Sequence, residues 1–208
     1  MIGNRNLLVM LALLAAAATA SYIDAFDRLT WWMESLPVFI GLPVLWATRQ
    51  PFPLTRLVYY LLFLHGLLLL YGAHYTYARV PLGFWLQDWF DFSRNPYDRL
   101  GHIAQGLVPA LVARELFIRL RIVNGRVWRA FLVVCFCLAF SAFYELIEWW
   151  VAVFYGDGST AFLGTQGDVW DAQWDMMLAL CGALAALLLG GWHDREIATV
   201  ERGIDSPG

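Results

Sequence analysis

Two glutamates interrupt the apolar stretch FSAFYELIEWW (140–150), and their type and spacing make them candidates for chemistry. Glu145 and Glu148 are three residues apart, so on a helix they share a face about one turn apart. Residues 131–144 upstream carry no charge, and at about 1.5 Å per residue they climb roughly 21 Å of a hydrocarbon layer about 30 Å thick. A charge at a helix centre disfavours insertion by about 2.5–3.5 kcal/mol, less toward the ends, so this pair needs partners. Two other polar sets also have helical spacing: Asp98 and His102, four apart in YDRLGH, and Asp168, Asp171 and Asp175 at i, i+3, i+7 in GDVWDAQWD. Carboxylates gathered at close range cannot all stay ionised without compensation. Protonation, pairing with Arg94 or Arg99, or a divalent metal would each supply it. Histidine among carboxylates suits Zn, Mn or Fe, and carboxylate alone suits Mg or Ca. A metal with an open position polarises a phosphoryl or carbonyl oxygen and activates water.

The elements that must position these groups are membrane spans. The 208 residues are 60% hydrophobic and 16% aromatic with mean hydropathy +0.56, too apolar for an ordinary soluble domain. The expected fold is all-α: a single transmembrane helical domain over 1–192 followed by a polar, frayed cytoplasmic tail over 193–208. Six spans are expected. The first, 7–20 and its flank, reads either as a retained helix or as a cleavable signal ending in AAAATA. Residues 24–35, with Trp31 and Trp32, read as an interfacial loop, and 36–48 as a short span interrupted by Pro37 and Pro43. Further spans are expected over 57–73, 102–120, 127–154 and 174–192. The connection 75–101 holds an amphipathic FWLQDWF helix in the interface, and a Gly-rich loop precedes the last span.

Every basic residue is arginine, and most of them fall on one side of this layout. By the positive-inside rule both termini are cytoplasmic and the long loops are periplasmic, in a bacterial inner membrane. Near-neutral net charge (−3) without a dense basic patch excludes nucleic acid as a partner. Cys135, Cys137 and Cys181 lie in apolar runs and give neither a disulfide framework nor a zinc ligand set.

Counting residues outward from the arginine-rich ends puts His74, His102, Glu145 and Asp175 all roughly 24–27 Å up their spans. If the polar faces turn inward, one outward-facing pocket results. Its expected ligands are His102, Asp171, Asp175, Glu145 and Glu148. Glu145, Glu148 and Asp98 are the candidate acid/base groups, with Asp98 orienting His102. Arg94, Arg99, Asp168 and His74 are the candidate substrate contacts, the arginines toward a phosphate. Structural roles compete at each position. Asp98 is also a fitting helix N-cap, Asp168 and Asp171 are favoured by a helix dipole, and Glu145 and Glu148 could fix helix register. His65 reads as a packed core histidine, and Gly182, Ala186 and Gly190 as a close-packing seam. Three functions remain open: metal-assisted hydrolysis or transfer on a lipid-linked or cell-envelope substrate, proton- or cation-coupled transport, and a non-catalytic scaffold. No nucleophile elbow, P-loop, dinucleotide fingerprint or metalloprotease helix is present.

Four long motifs, FPLTRLVYYLLFLHGLLLLYGAHYTYARVPL, RNPYDRLGHIAQGLVPALVARE, FSAFYELIEWW and FLGTQGDVWDAQWDM, occur in order, and over 30–189 the chain resembles the YjdF-type family of small bacterial inner-membrane proteins. That resemblance implies membrane location. A second resemblance is to the VanZ-like family, whose D-[KR]-x-x-H is similar to Asp98, Arg99 and His102. Its E-x-x-Q and D-x-x-x-N-x-x-G are similar to Glu145/Glu148 and Asp175/Ala179/Gly182. Glu148 and Ala179 depart from its pattern, so the resemblance implies a shared helix layout more than shared chemistry.

Overall fold

The computed structural model describes residues 2–156 and 160–205, and its regular elements there are all helical. In chain order they are α1 (Asn4–Tyr22), α2 (Arg28–Thr48), α3 (Arg56–Tyr75), α4 (Pro81–Phe90), α5 (Tyr97–Arg119), α6 (Arg126–Tyr155), α7 (Thr160–Leu163), α8 (Asp171–Leu188) and α9 (Gly190–Asp205). A 3-10 turn at Tyr77–Arg79 links α3 to α4. Four helices, α1, α3, α6 and α8, are long and apolar enough to cross a membrane. α2 and α5 are as long, at 21 and 23 residues, but buried polar groups dilute them: Glu34 in α2, and Asp98, His102, Arg114 and Glu115 in α5.

The centre of the bundle is the α5/α8 pair, flanked by α6. His102 meets Asp175, Gly106 meets Ala179 and Arg114 meets Gly190 in step, so α5 and α8 run parallel. Small residues set how closely they approach. Gly106 lies against the Ala179 backbone, and Gly182 lies against the backbone of Ile103 and Leu107. A Cβ at either position would meet main-chain atoms that no rotamer change can move. The expected seam thus holds at Gly182 and at buried Ala186, while Gly190 falls beyond α8 and packs on the Arg114 guanidinium. Gly106→Val should lower stability by about 1–3 kcal/mol, read as a lower thermal unfolding midpoint in detergent. Gly41→Ala, which points into open space, serves as the control. Equal midpoints for the two variants would show that the helices are free to part.

Three expectations are corrected. Residues 24–35 are not a loop: Asp27 caps α2 by accepting the Thr30 N–H at 2.7 Å, and the helix continues through Pro37 and Pro43. Thr30, Glu34 and Ser35 are thereby carried into the core. The last span ends at Leu188 rather than at 192. The tail is not frayed over 193–205, because α9 buries His193, Ile197 and Val200 at i, i+4, i+7; residues 206–208 lie outside the described residues. The amphipathic helix before α5 is present as α4, with Trp85, Trp89 and Phe90 exposed. Part of the Gly-rich loop before α8, residues 157–159, also lies outside the described residues. At the other end, α1 packs on α3 with Leu14 against Gly66, and Trp31 Nε1 donates to Ser21 Oγ at 3.0 Å.

Candidate functional site

The loops that start α5 and α8 are stitched together before either helix begins. Gln166 Oε1 accepts the Asn95 N–H at 3.1 Å and Gln166 Nε2 donates to the Asn95 carbonyl at 3.0 Å. Asn95 itself bonds the Tyr97 N–H and the Val80 carbonyl. This register drives Arg94 between the two helix starts. Its guanidinium donates to the Thr165 carbonyl at 3.0 Å and to Asp171, and lies 3.6 Å from both Asp98 and Asp168. Arg99 pairs with Asp168 at 3.3 Å and lies over the Trp174 ring. Both arginines therefore compensate acids of the chain, one of the three forms of compensation expected for so many carboxylates. Asp168 and Asp171 are their counter-ions, and Asp171 is separate from the histidine-centred cluster.

One turn deeper, α5 and α8 present His102, Asp98 and Asp175 to one another. His102 Nε2 is 3.5 Å from Asp98 Oδ1 and 3.8 Å from Asp175 Oδ1. One donor atom from each of the three buried residues falls within 4.8 Å of the others. Tetrahedral bonds of about 2.0–2.2 Å imply ligand edges of roughly 3.3–3.6 Å, so small side-chain shifts would bring the set to a metal. Asp98 shares Nε2 with Asp175, whereas His102 Nδ1 has no hydrogen-bond partner among the described residues. Asp98 therefore approaches the same ring nitrogen as Asp175, on the opposite side of the ring from Nδ1. Asp175 Oδ1 and Glu145 Oε1 are also buried without a partner. Glu145 is close enough for its charge to act on His102 and Asp98.

A cavity of about 50 Å³ adjoins the cluster, lined by Asp98 and His102 with Glu148 and Tyr144 of α6, His65 of α3 and Glu34 of α2. Glu34 is only 3% exposed and accepts the Tyr77 backbone N–H. Its Oε2 and His65 Nε2 both lack partners among the described residues. The sequence reading left Glu34 out because it read those residues as a loop. The pairing of Asp27 with Thr30, a helix-start signal, was available to show otherwise. His65, expected as a packed core histidine, is half-buried and borders this cavity.

His74 shares the depth of the cluster but not its location. Its Nδ1 lies 3.0 Å from the Ser21 carbonyl oxygen, its ring meets Tyr75 edge-on, and it lines a different cavity with Ala17, Ser21 and Tyr71. Depth along a span fixes one coordinate, and the direction a residue faces fixes the other. His74 is accordingly an anchor between α3 and α1 and does not reach the cluster.

At the opposite end, Glu115 is fully buried and completely engaged. It accepts from the Thr55 N–H and Oγ1, from Arg119 at 2.7 Å, and lies 3.2 Å from His193 Nε2. Arg114 continues the chain of contacts to Asp194 at 2.7 Å. This network ties the start of α3, the end of α5 and α9 together.

Residues 6–196 match the family described as "Predicted membrane protein (DUF2238)". The chain is similar to the inner membrane protein YjdF of Escherichia coli (strain K12), with 56% identity over 176 residues, covering 84% of each chain. These similarities bear out the YjdF-type resemblance carried by the four motifs, and nothing in them supports the VanZ-like one. No solved structure matches.

Proposed function

This chain belongs to the DUF2238 family of membrane proteins and is a multi-pass inner-membrane protein; from that premise we propose that its acidic and histidine chamber holds a divalent metal and performs hydrolysis or group transfer on a lipid-linked or cell-envelope substrate. The observation that carries this reading is the set Asp98, His102 and Asp175: three buried residues with ligand atoms of the right chemistry within 4.8 Å, contributed by two helices whose spacing is held by glycine. Zn, Mn or Fe suits one imidazole with two carboxylates. Three protein ligands leave a position for water. That water would pass a proton to Glu145 or Glu148, its oxygen would bond to the phosphorus or carbonyl carbon, and the leaving oxygen would take the proton as its bond breaks. Glu34 and His65, which line the same cavity, extend the set of groups able to carry that proton.

Elemental analysis of protein purified without chelator tests the metal: about one equivalent is expected, and protein free of any divalent transition metal or magnesium overturns it. Transport is the poorer reading. The inner-half acid a through-path would use, Glu115, is already committed to Thr55, Arg119 and His193.

In this reading α1, α2, α3, α5, α6 and α8 all cross the membrane, with both termini cytoplasmic and the chamber opening toward the periplasm. Arginine asymmetry supports that orientation. In a chain whose own cysteines are replaced, Asp88→Cys should react with a membrane-impermeant maleimide applied from the periplasm, and Glu201→Cys should react only after permeabilisation. The opposite pattern inverts the topology and moves the chamber to the cytoplasmic side.

A further inference from the structure

The geometry points to a second site, independent of the first: a phosphate-binding site at the arginine-rich end of the bundle, between α5, α6 and the joint of α8 with α9. A cavity of about 100 Å³ opens there, lined by Arg114, Arg126 and Arg129 with Val133, Leu187 and Gly190. One water needs roughly 10–15 Å³, so this space admits a larger group. Arg114 is 7% exposed. Asp194 holds it at 2.7 Å on one side and His193 Nδ1 lies 3.3 Å away on the other, so its guanidinium is fixed at the cavity wall. Among the described residues neither Arg126 nor Arg129 pairs with a carboxylate. α6 begins at Arg126 with no side-chain cap and no acid in its first turn, which leaves free amide donors and the positive end of the helix dipole at the same place.

Three guanidiniums, with Asp194 the acid paired among them, make a positive cavity with forked donors. Phosphate oxygens fit that donor geometry bidentately, which an ammonium cannot match. Two sources offer the group: the headgroup of an anionic lipid, since basic pockets between helices at the membrane surface suit such headgroups, or a free phosphate ion. General attraction of arginines to the membrane surface does not account for the arrangement, because exposed Arg121 lies at the same end of α5 without lining the cavity.

The test uses the full chain in uncharged detergent, titrated with phosphatidylglycerol, with diacylglycerol of the same tails and with inorganic phosphate, and followed by native mass spectrometry. Phosphatidylglycerol retained over diacylglycerol identifies a lipid headgroup, and retention of inorganic phosphate alone identifies the free ion; either outcome supports the site. Arg126→Gln/Arg129→Gln should weaken the retained ligand about ten-fold or more, the equivalent of one charge-assisted hydrogen bond. Arg121→Gln should leave it unchanged. Neither replaced arginine pairs with a carboxylate among the described residues, and equal unfolding midpoints for the variant and the parent will show that folding is intact. No preference for either phosphate-bearing ligand over diacylglycerol, or equal weakening by Arg121→Gln, overturns the proposal.

Discussion

Asp175→Asn is expected to weaken divalent metal binding by at least about 100-fold, given that loss of an outer partner alone typically costs 10–100-fold. The substitution keeps the size of the side chain and removes only its charge. Asp175 is buried on α8 beside His102, with Oδ1 free of any hydrogen bond among the described residues. An oxygen left bare in the interior is costly unless something supplies a positive partner. If that partner is a metal, asparagine forfeits both the anionic ligand and the charge balance, and metal titration followed by calorimetry will show it. If the partner is only a protonated His102, asparagine changes stability and leaves metal titration silent for parent and variant alike. Asp171→Asn separates the two acids of α8 further. Because Asp171 answers to Arg94, it should alter metal affinity much less than Asp175→Asn does.

Glu115→Ala carries the largest expected effect on stability, a loss of about 3–5 kcal/mol, because removing one member of a buried charged network strands the others. Arg119, His193 and the Thr55 N–H would all lose an acceptor at once. Arg119 also donates to the Pro53 carbonyl at 2.6 Å and lies over the Phe52 ring at 3.8 Å. The loop entering α3 should therefore loosen together with α9. A lower unfolding midpoint in detergent and faster proteolysis of the segment after Gly190 are the readouts. Glu115→Gln retains an acceptor for Thr55 and should fall between Glu115→Ala and the parent. Midpoints equal within error for all three would show that the network does not hold α9.

The chemistry-bearing helices were the most legible part of the sequence. Asp98/His102, Glu145/Glu148 and Asp171/Asp175 each obey helical spacing, and the structure carries each set on a single helix. What spacing could not give is which face meets which. Spacing sets Asp171 among the expected ligands, while the structure pairs it with Arg94; counted depth sets His74 among the expected substrate contacts, while its ring faces α1. Gly106 went unnoticed because one glycine in IAQGLVPA repeats nothing along its own helix; its reason lies in the Ala179 backbone across from it. Glu34 was lost for a different reason. Averaged polarity over 24–35 suggested a loop, while the buried positions Thr30, Glu34 and Val38 recur with a helical period that averaging conceals. The tail failed in the same way, since its few buried residues, His193, Ile197 and Val200, are outnumbered by charged ones that face away.

The central claim is that Asp98, His102 and Asp175 are ligands of one metal ion. A crystal of the protein purified without chelator, measured on both sides of the absorption edge of the metal identified by elemental analysis, tests it most directly. An anomalous peak is expected about 2.0–2.2 Å from His102 Nε2 and from a carboxylate oxygen of each aspartate. Featureless density there, with the His102 ring bridging the two carboxylates by hydrogen bonds alone, would contradict it.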